Sequence, residues 1–245
     1  MYDIENYYNA STIEEAVRLL KEHPDTRVIS GGSDVLIKIR EGKMAGTSLV
    51  SIRDIKELNG ITKKENGDIY IGAGTTFSHI TNDPVIQENI PVLGEAVDQV
   101  GGPQIRNIGT IGGNICNGAV SADSAPTVFS LNALLRIEDG NGGRTVPVRD
   151  FYLGPGRVDL KRGEILTHVI IPAKEYQGYH GNYIKYSMRK AMDIATLSCS
   201  VVSKVNTEKN ILEDVRITFG VAAPVPFRCE KTEAALKGQE ISEKL

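Results

Sequence analysis

Residues 101–126, GGPQIRNIGTIGGNICNGAVSADSAP, hold six glycines among small polar side chains and limit the possible folds more than any other stretch of the chain. They keep neither the two-residue alternation of a half-buried strand nor the apolar period of a helix. Glycine weakens the interior of both elements because it loses the most backbone freedom on folding. The expectation is an irregular loop outside the core. Thr110, Asn114, Asn117, Ser121, Asp123 and Ser124 add hydroxyl, amide and carboxylate groups, the means to hydrogen-bond phosphates and sugar hydroxyls together.

A second glycine pair lies about eighty residues earlier, in RVISGGSDVLIKIR at 27–40. Glycines without Cβ atoms let backbone N–H groups converge on an anion, so two such loops together suggest a diphosphate held from both sides. Taken singly, Gly31-Gly32 also reads as the end of a strand and TIGGN as a bulged turn. The standard nucleotide motifs are missing: GAGTTF at 72–77 and GPGRVD at 154–159 both fail G-x-G-x-x-G, and no G-x-x-x-x-G-K-[ST] occurs. Nor is there a G-x-S-x-G elbow or an H-E-x-x-H pair. His23, His79, His168 and His180 are scattered, and Cys116, Cys199 and Cys229 form no C-x-x-C or Cys/His grouping for zinc or an iron–sulfur cluster.

Elsewhere the periodicity is regular. Ser11 with Glu14 reads as a capping box before Ile13, Ala16, Val17 and Leu20, an amphipathic helix ending near His23-Pro24. RVIS and SLVSI read as strands, while DVLIKIR fits a helix capped at Ser33 or another strand. Asn66-Gly67 marks a tight hairpin in ITKKENGDIYIGAG. Two helices are expected in 75–100, the second from Pro91, and another from Asp123 or Ser124. GEILTHVIIP reads as a strand. From about Asn182 three sequential antiparallel strands and a helix follow, with a turn at Asn206 to Asn210, so a boundary is expected near residue 175. Three strands and one helix make a thin domain, which implies further helices or a covering partner. A net charge of −3 with interspersed signs and no basic stripe argues against nucleic acid and anionic membranes. No apolar run is long enough to span a bilayer. Sparse cysteines and an N-terminus lacking a basic start and apolar h-region point to the cytoplasm.

TIGGNICNGAVSADSAP together with ISGGSDV resembles the flavoprotein subunit of molybdenum hydroxylases, the family of xanthine dehydrogenase, carbon monoxide dehydrogenase and their relatives. The likeness runs through TIEEAVRLL, IGAGTT, GEILTHVIIP, KYSMRKAMDIATLS and ITFGVAAPVPFRCEKTEAALKG, and the long second loop is nearest the bacterial xanthine dehydrogenase FAD-binding subunit. The resemblance implies an α+β chain: a vanillyl-alcohol-oxidase (PCMH)-type FAD-binding fold of two α/β subdomains, 1–55 and 56–174, then a C-terminal three-stranded antiparallel sheet with helices at 175–245, shorter than is usual. It maps FAD contacts to Arg27, Val28, Ile29, Ser30, Gly31, Gly32, Ser33 and Asp34, and to Gly109, Thr110, Ile111, Gly112, Gly113 and Asn114, with Asp123 on sugar hydroxyls. Leu166, Lys185 and Asp193 fall beside the flavin, where a lysine near the pyrimidine edge would stabilise negative charge and raise the potential. Bulk at Gly112 or Gly113 is expected to fill the diphosphate approach without unfolding the chain.

The same resemblance implies FAD as the cofactor of this chain. The molybdenum cofactor and iron–sulfur clusters are expected only on a molybdenum subunit and a small iron–sulfur subunit. Electrons would pass from the clusters through FAD to NAD or another acceptor, with purine the favoured substrate class of the whole complex. No catalytic side chain and no metal ligand are assigned. A self-contained flavin oxidoreductase is the first alternative and would need a general base beside the flavin; a non-catalytic assembly subunit without cofactor is the second.

Overall fold

The computed structural model describes residues 2–242. Strand β1 (Ile4–Asn9), helix α1 (Ile13–Glu22), β2 (Arg27–Ile29), α2 (Val35–Arg40) and β3 (Thr47–Ser51) come first, and the strands pair in parallel in the order β1-β3-β2. Parallel pairing needs crossover connections, and the two helices supply them. Helix α1 buries Ala16, Val17, Leu19 and Leu20. Its cap is Thr12, whose hydroxyl accepts from Glu15 N–H at 3.1 Å, while Ser11 N–H donates to the Glu15 carboxylate at 2.8 Å. The box is therefore one residue later than Ser11/Glu14; the sequence carries two overlapping S/T-x-x-E patterns. DVLIKIR resolves as a helix, with Asp34 rather than Ser33 at its cap position.

The middle of the chain runs β4 (Ile61–Lys63), β5 (Ile69–Gly72), α3 (Phe77–Asn82), α4 (Pro84–Asn89), α5 (Pro91–Asp98), α6 (Pro103–Ile108), α7 (Ile111–Asn117), α8 (Ser124–Ser130), β6 (Leu134–Glu138), β7 (Arg144–Pro147), α9 (Val148–Phe151), β8 (Tyr152–Gly154), β9 (Arg157–Val158) and β10 (Ile165–Ile171). Five strands pair antiparallel as β4-β5-β10-β6-β7. Gly67, at φ +86°, makes the expected β4–β5 turn. Three helices, not two, fill 77–98, because Pro84 starts a helix of its own: Asp83 accepts from Val85 N–H at 2.9 Å, and proline at a first helical position removes only an unpaired donor.

The larger correction concerns the glycine-rich stretch. It is not wholly irregular; α6 and α7 occupy much of it. Thr110 caps α7 by accepting from Gly113 N–H at 3.1 Å. Two helical glycines cost roughly 1 kcal/mol each relative to alanine. That cost is offset by complete burial of Ile111 and Ile115 and by close packing of Gly112 on Ala73. After α8 the chain turns at Asn132 (φ +45°) and enters β6, so the helix expected from Asp123 stops at Ser130.

The last part is a meander of β11 (His180–Tyr186), β12 (Leu197–Asn206), β13 (Ile211–Gly220) and β14 (Phe227–Arg228), followed by α10 (Glu230–Leu236). The expected three strands gain a fourth because Phe227-Arg228 pairs with Thr218-Phe219 before the helix begins. One face of this sheet meets α8: Ser130 and Ser200 hydroxyls lie 2.9 Å apart, and buried Arg216 donates to Ser130 O and Glu175 O. Alternation along β11 turns Tyr183 and Lys185 inward and leaves Ile184 and Tyr186 exposed.

Candidate functional site: a cleft between two glycine-rich segments

A cleft of about 780 Å³ opens where the parallel sheet meets the middle of the chain. Arg27, Val28 and residues 30–34 form one wall; Gly109, Thr110, Gly112, Gly113, Asn114 and Asn117 form another. The walls touch backbone to backbone. A Cβ on Gly31 would stand 1.8 Å from Ile108 O, so only glycine permits this approach. Gly32, at φ +73°, lets the chain turn left-handed directly after it. The N–H groups of Gly31, Gly32, Ser33 and Asp34 have no acceptor among the described residues, and successive free amides in such a turn form an anion-binding concavity. Ile29 and Ile111, mapped to the site by resemblance, are instead buried in the core and anchor the two walls from behind.

A second pocket of about 240 Å³ shares Val100, Ile105 and Asn114 with the first and extends to Ser121, Asp123, Met192, Asp193 and Ile194. Asp123, only 6% exposed, accepts from Tyr183 Oη at 2.8 Å and from Lys185 Nζ at 2.9 Å. Burial pushes its carboxyl above the usual range, and the hydrogen bond and charge of Lys185 only partly offset this. Lys185 also donates to Gln99 O at 3.0 Å. Two of its three ammonium donors are thus engaged by protein groups. Asp193 accepts from Arg189 N–H at 2.8 Å, which holds its carboxyl below the usual range and folds its loop onto itself. Ser124 Oγ donates to Asn114 Oδ1 at 2.6 Å, fixing the junction of the two pockets.

Leu166 lies at the end of the larger cleft beside residues 160–165, a segment to which the resemblance mapped no contact. Arg144 brackets it, donating to both Glu164 oxygens at 2.9 Å and to Asp159 Oδ2 at 2.6 Å, and thereby presents Lys161 and Arg162 at the rim. The consecutive cations of LKRGE were the available signal. Lys38 was also missed; it lines the cleft and reaches Asn117 Oδ1 at 2.8 Å. Cys116 faces the cleft too, but burial pushes its thiol up to about 12, so it stays protonated. Among the described residues no group of three or more His, Cys, Asp or Glu side chains could hold a metal ion, and no helix is long and apolar enough to cross a membrane.

Residues 2–174 match the family described as the FAD binding domain in molybdopterin dehydrogenase, and residues 182–245 match the CO dehydrogenase flavoprotein C-terminal domain. The putative xanthine dehydrogenase FAD-binding subunit of Escherichia coli is 40% identical over 233 residues, covering 95% of this chain and 79% of that one. The chain belongs to the FAD-binding subunits of the molybdenum hydroxylases. The carbon monoxide dehydrogenase medium chain of Hydrogenophaga pseudoflava is 32% identical to this flavin subunit, over 95% of this chain and 80% of that one. A solved structure of carbon monoxide dehydrogenase from that organism superposes with a TM-score of 0.93 at 31% identity, covering all of this chain and 84% of its own. Quinoline 2-oxidoreductase from Pseudomonas putida follows at 0.90 and 26%, over 98% and 81%.

The flavin subunit is thus part of an FAD-dependent oxidoreductase, and its walls suit that cofactor. The volume falls within the range that encloses a large organic ligand. Free amides offer donors for a diphosphate, and the smaller pocket adds the amide of Asn114 and the hydroxyl of Ser121 for a polyol chain.

Proposed function

We propose that this chain carries electrons within a xanthine dehydrogenase-like molybdenum hydroxylase, and that three units, 1–55, 56–174 and 175–245, divide the work. The single observation behind this reading is the backbone contact of Gly31 with Ile108, which joins two glycine-rich segments into one clamp. The amides of residues 31–34 would hold the diphosphate, with Arg27 at the rim and Gly113 leaving room on the opposite side. Asn114, Ser121 and Asp123 would bond the sugar-like chain, while Val100, Ile105 and Leu166 would pack on the flavin ring. Asp193 and its neighbours Met192 and Ile194 would flank that ring from the smaller pocket. Bound there, FAD accepts electrons one or two at a time and so links iron–sulfur carriers to NAD or another two-electron acceptor.

The molybdenum cofactor and the iron–sulfur clusters belong, on this reading, to separate partner subunits, and the purine-type substrate is oxidised there, in the cytoplasm. What supports a partner is apolar exposure along β11 and just after it: Ile184, Tyr186 and Met188 are each more than 60% exposed, and apolar surface of this kind marks contact sites. No side chain here is assigned as nucleophile or general acid. The purified chain should release about one FAD per chain on denaturation, and NADH should bleach its flavin absorbance. Colourless protein that FAD fails to reconstitute would sink the reading; turnover of an organic substrate without partners would replace it with a self-contained oxidoreductase.

A further inference from the structure

The anion-binding loop carries its own acid. Asp34 closes the run of free amides, lines the same cleft, and would repel any diphosphate held there. Lys38, one helical turn later on α2, places Nζ 2.6 Å from Asp34 Oδ2. An ordinary exposed i,i+4 pair contributes little, but this ammonium also reaches across the cleft to Asn117 Oδ1 at 2.8 Å, at the end of α7. Lys38 therefore bonds a residue from each glycine-rich segment at once. Of the other cations lining the cleft, Arg162 donates to Pro24 O at 2.9 Å and lies 3.5 Å from Asp25, while Arg27 and Lys161 have no ion-pair partner among the described residues. None of them meets Asp34.

We infer that Lys38 is a positioning residue that cancels the charge of Asp34 and, through Asn117, holds that carboxylate off the diphosphate. The loop then presents free amides without a net negative charge. Asp34, mapped by resemblance as an FAD ligand, is on this account a group the site must neutralise. The inference rests on the FAD reading above.

The test is a double-mutant cycle in the full chain, stripped of flavin and titrated with FAD, with flavin fluorescence as the readout at low and high salt. Lys38→Met should weaken FAD binding about tenfold at low salt, with the deficit shrinking as salt screens the exposed carboxylate. Lys38→Arg should bind within about threefold of wild type, since the guanidinium supplies the same charge. The decisive variant is Asp34→Asn combined with Lys38→Met, which should recover most of the lost affinity because no repulsion remains. A double variant as weak as Lys38→Met would overturn the inference by making the lysine a direct ligand or a mere strut. Wild-type affinity in Lys38→Met would overturn it as well. Failure of the wild-type chain itself to bind FAD would instead break the reading on which the inference stands.

Discussion

Residues 30–34 and residues 109–117 share a glycine-rich composition and line one cleft, yet the first is an irregular loop in which the N–H groups of residues 31–34 find no acceptor among the described residues, and the second is mostly a helix capped by Thr110. The difference lies in what each glycine approaches. Gly31 meets the carbonyl of Ile108 and Gly112 meets Ala73, with an added Cβ falling 1.8 Å and 2.6 Å from those atoms; at Gly113 only the Thr110 hydroxyl, at 3.0 Å, stands near. Close approach of backbone to backbone accounts for the first two glycines, and room in the cleft for the third. The first segment therefore offers the cleft its main-chain donors. The second offers side chains, Asn114 and, beyond the helix, Asp123.

Gly31→Val is the harshest way to break this contrast. Its side chain would overlap the Ile108 carbonyl, so the two segments must separate. The expected outcome is loss of copurifying FAD together with a lower melting temperature; a valine variant retaining stoichiometric FAD would show that the walls need not touch. Lys185→Met attacks the side-chain half. It leaves a buried carboxylate without its cation, a change that typically costs about 3–5 kcal/mol. The sign of its pH dependence follows from burial. Asp123 already titrates above the range of the unfolded chain, so the native state binds its proton more tightly and stability is lost as pH rises through the folded pKa. Removing Lys185 pushes that pKa further up and extends the loss toward neutrality. Urea unfolding at about pH 5 and about pH 8 should show the larger deficit at the higher pH, and a pH-independent deficit would mean that Lys185 acts only by packing.

The legible parts of the fold were those set by local rules. Helix α1, the hairpin at Gly67 and strand β10 follow from apolar period and turn chemistry, and each stands close to where those rules put it. Helix α7 was not legible, because glycine content argues against a helix while the force that overrides it, burial of Ile111 and Ile115 with Gly112 on Ala73, comes from residues distant in sequence. The candidate site divides in the same way. Thirteen of the eighteen mapped residues line the larger cleft, Asp123 and Asp193 line the smaller pocket, Lys185 lies behind Asp123, and Ile29 and Ile111 sit in the core. Two-residue alternation on β11 was enough to place Tyr183 and Lys185 on one face, but not to name the acid sixty residues earlier that they grip. Lys38 carried no motif at all; only the fold brings it to Asn117.

The finest test lies within α7, where two adjacent glycines should respond in opposite ways. Alanine at either position would by helix propensity alone add about 1 kcal/mol of stability. At Gly112 the new Cβ would fall 2.6 Å from both Ala73 Cβ and Ala73 O, overpacking that costs about 1–3 kcal/mol and outweighs the gain. At Gly113 the methyl group crowds only the capping hydroxyl of Thr110, and a weakened cap worth about 1 kcal/mol roughly cancels the propensity term. Gly112→Ala should therefore lower the unfolding free energy of the apo chain, and Gly113→Ala should leave it nearly unchanged while placing a methyl group at the cleft wall and weakening FAD binding. This narrows the expectation that bulk at either glycine would spare the fold. Equal destabilisation of the two variants in urea, or undiminished FAD affinity in Gly113→Ala, would show that the second segment uses both glycines for packing and none for the ligand.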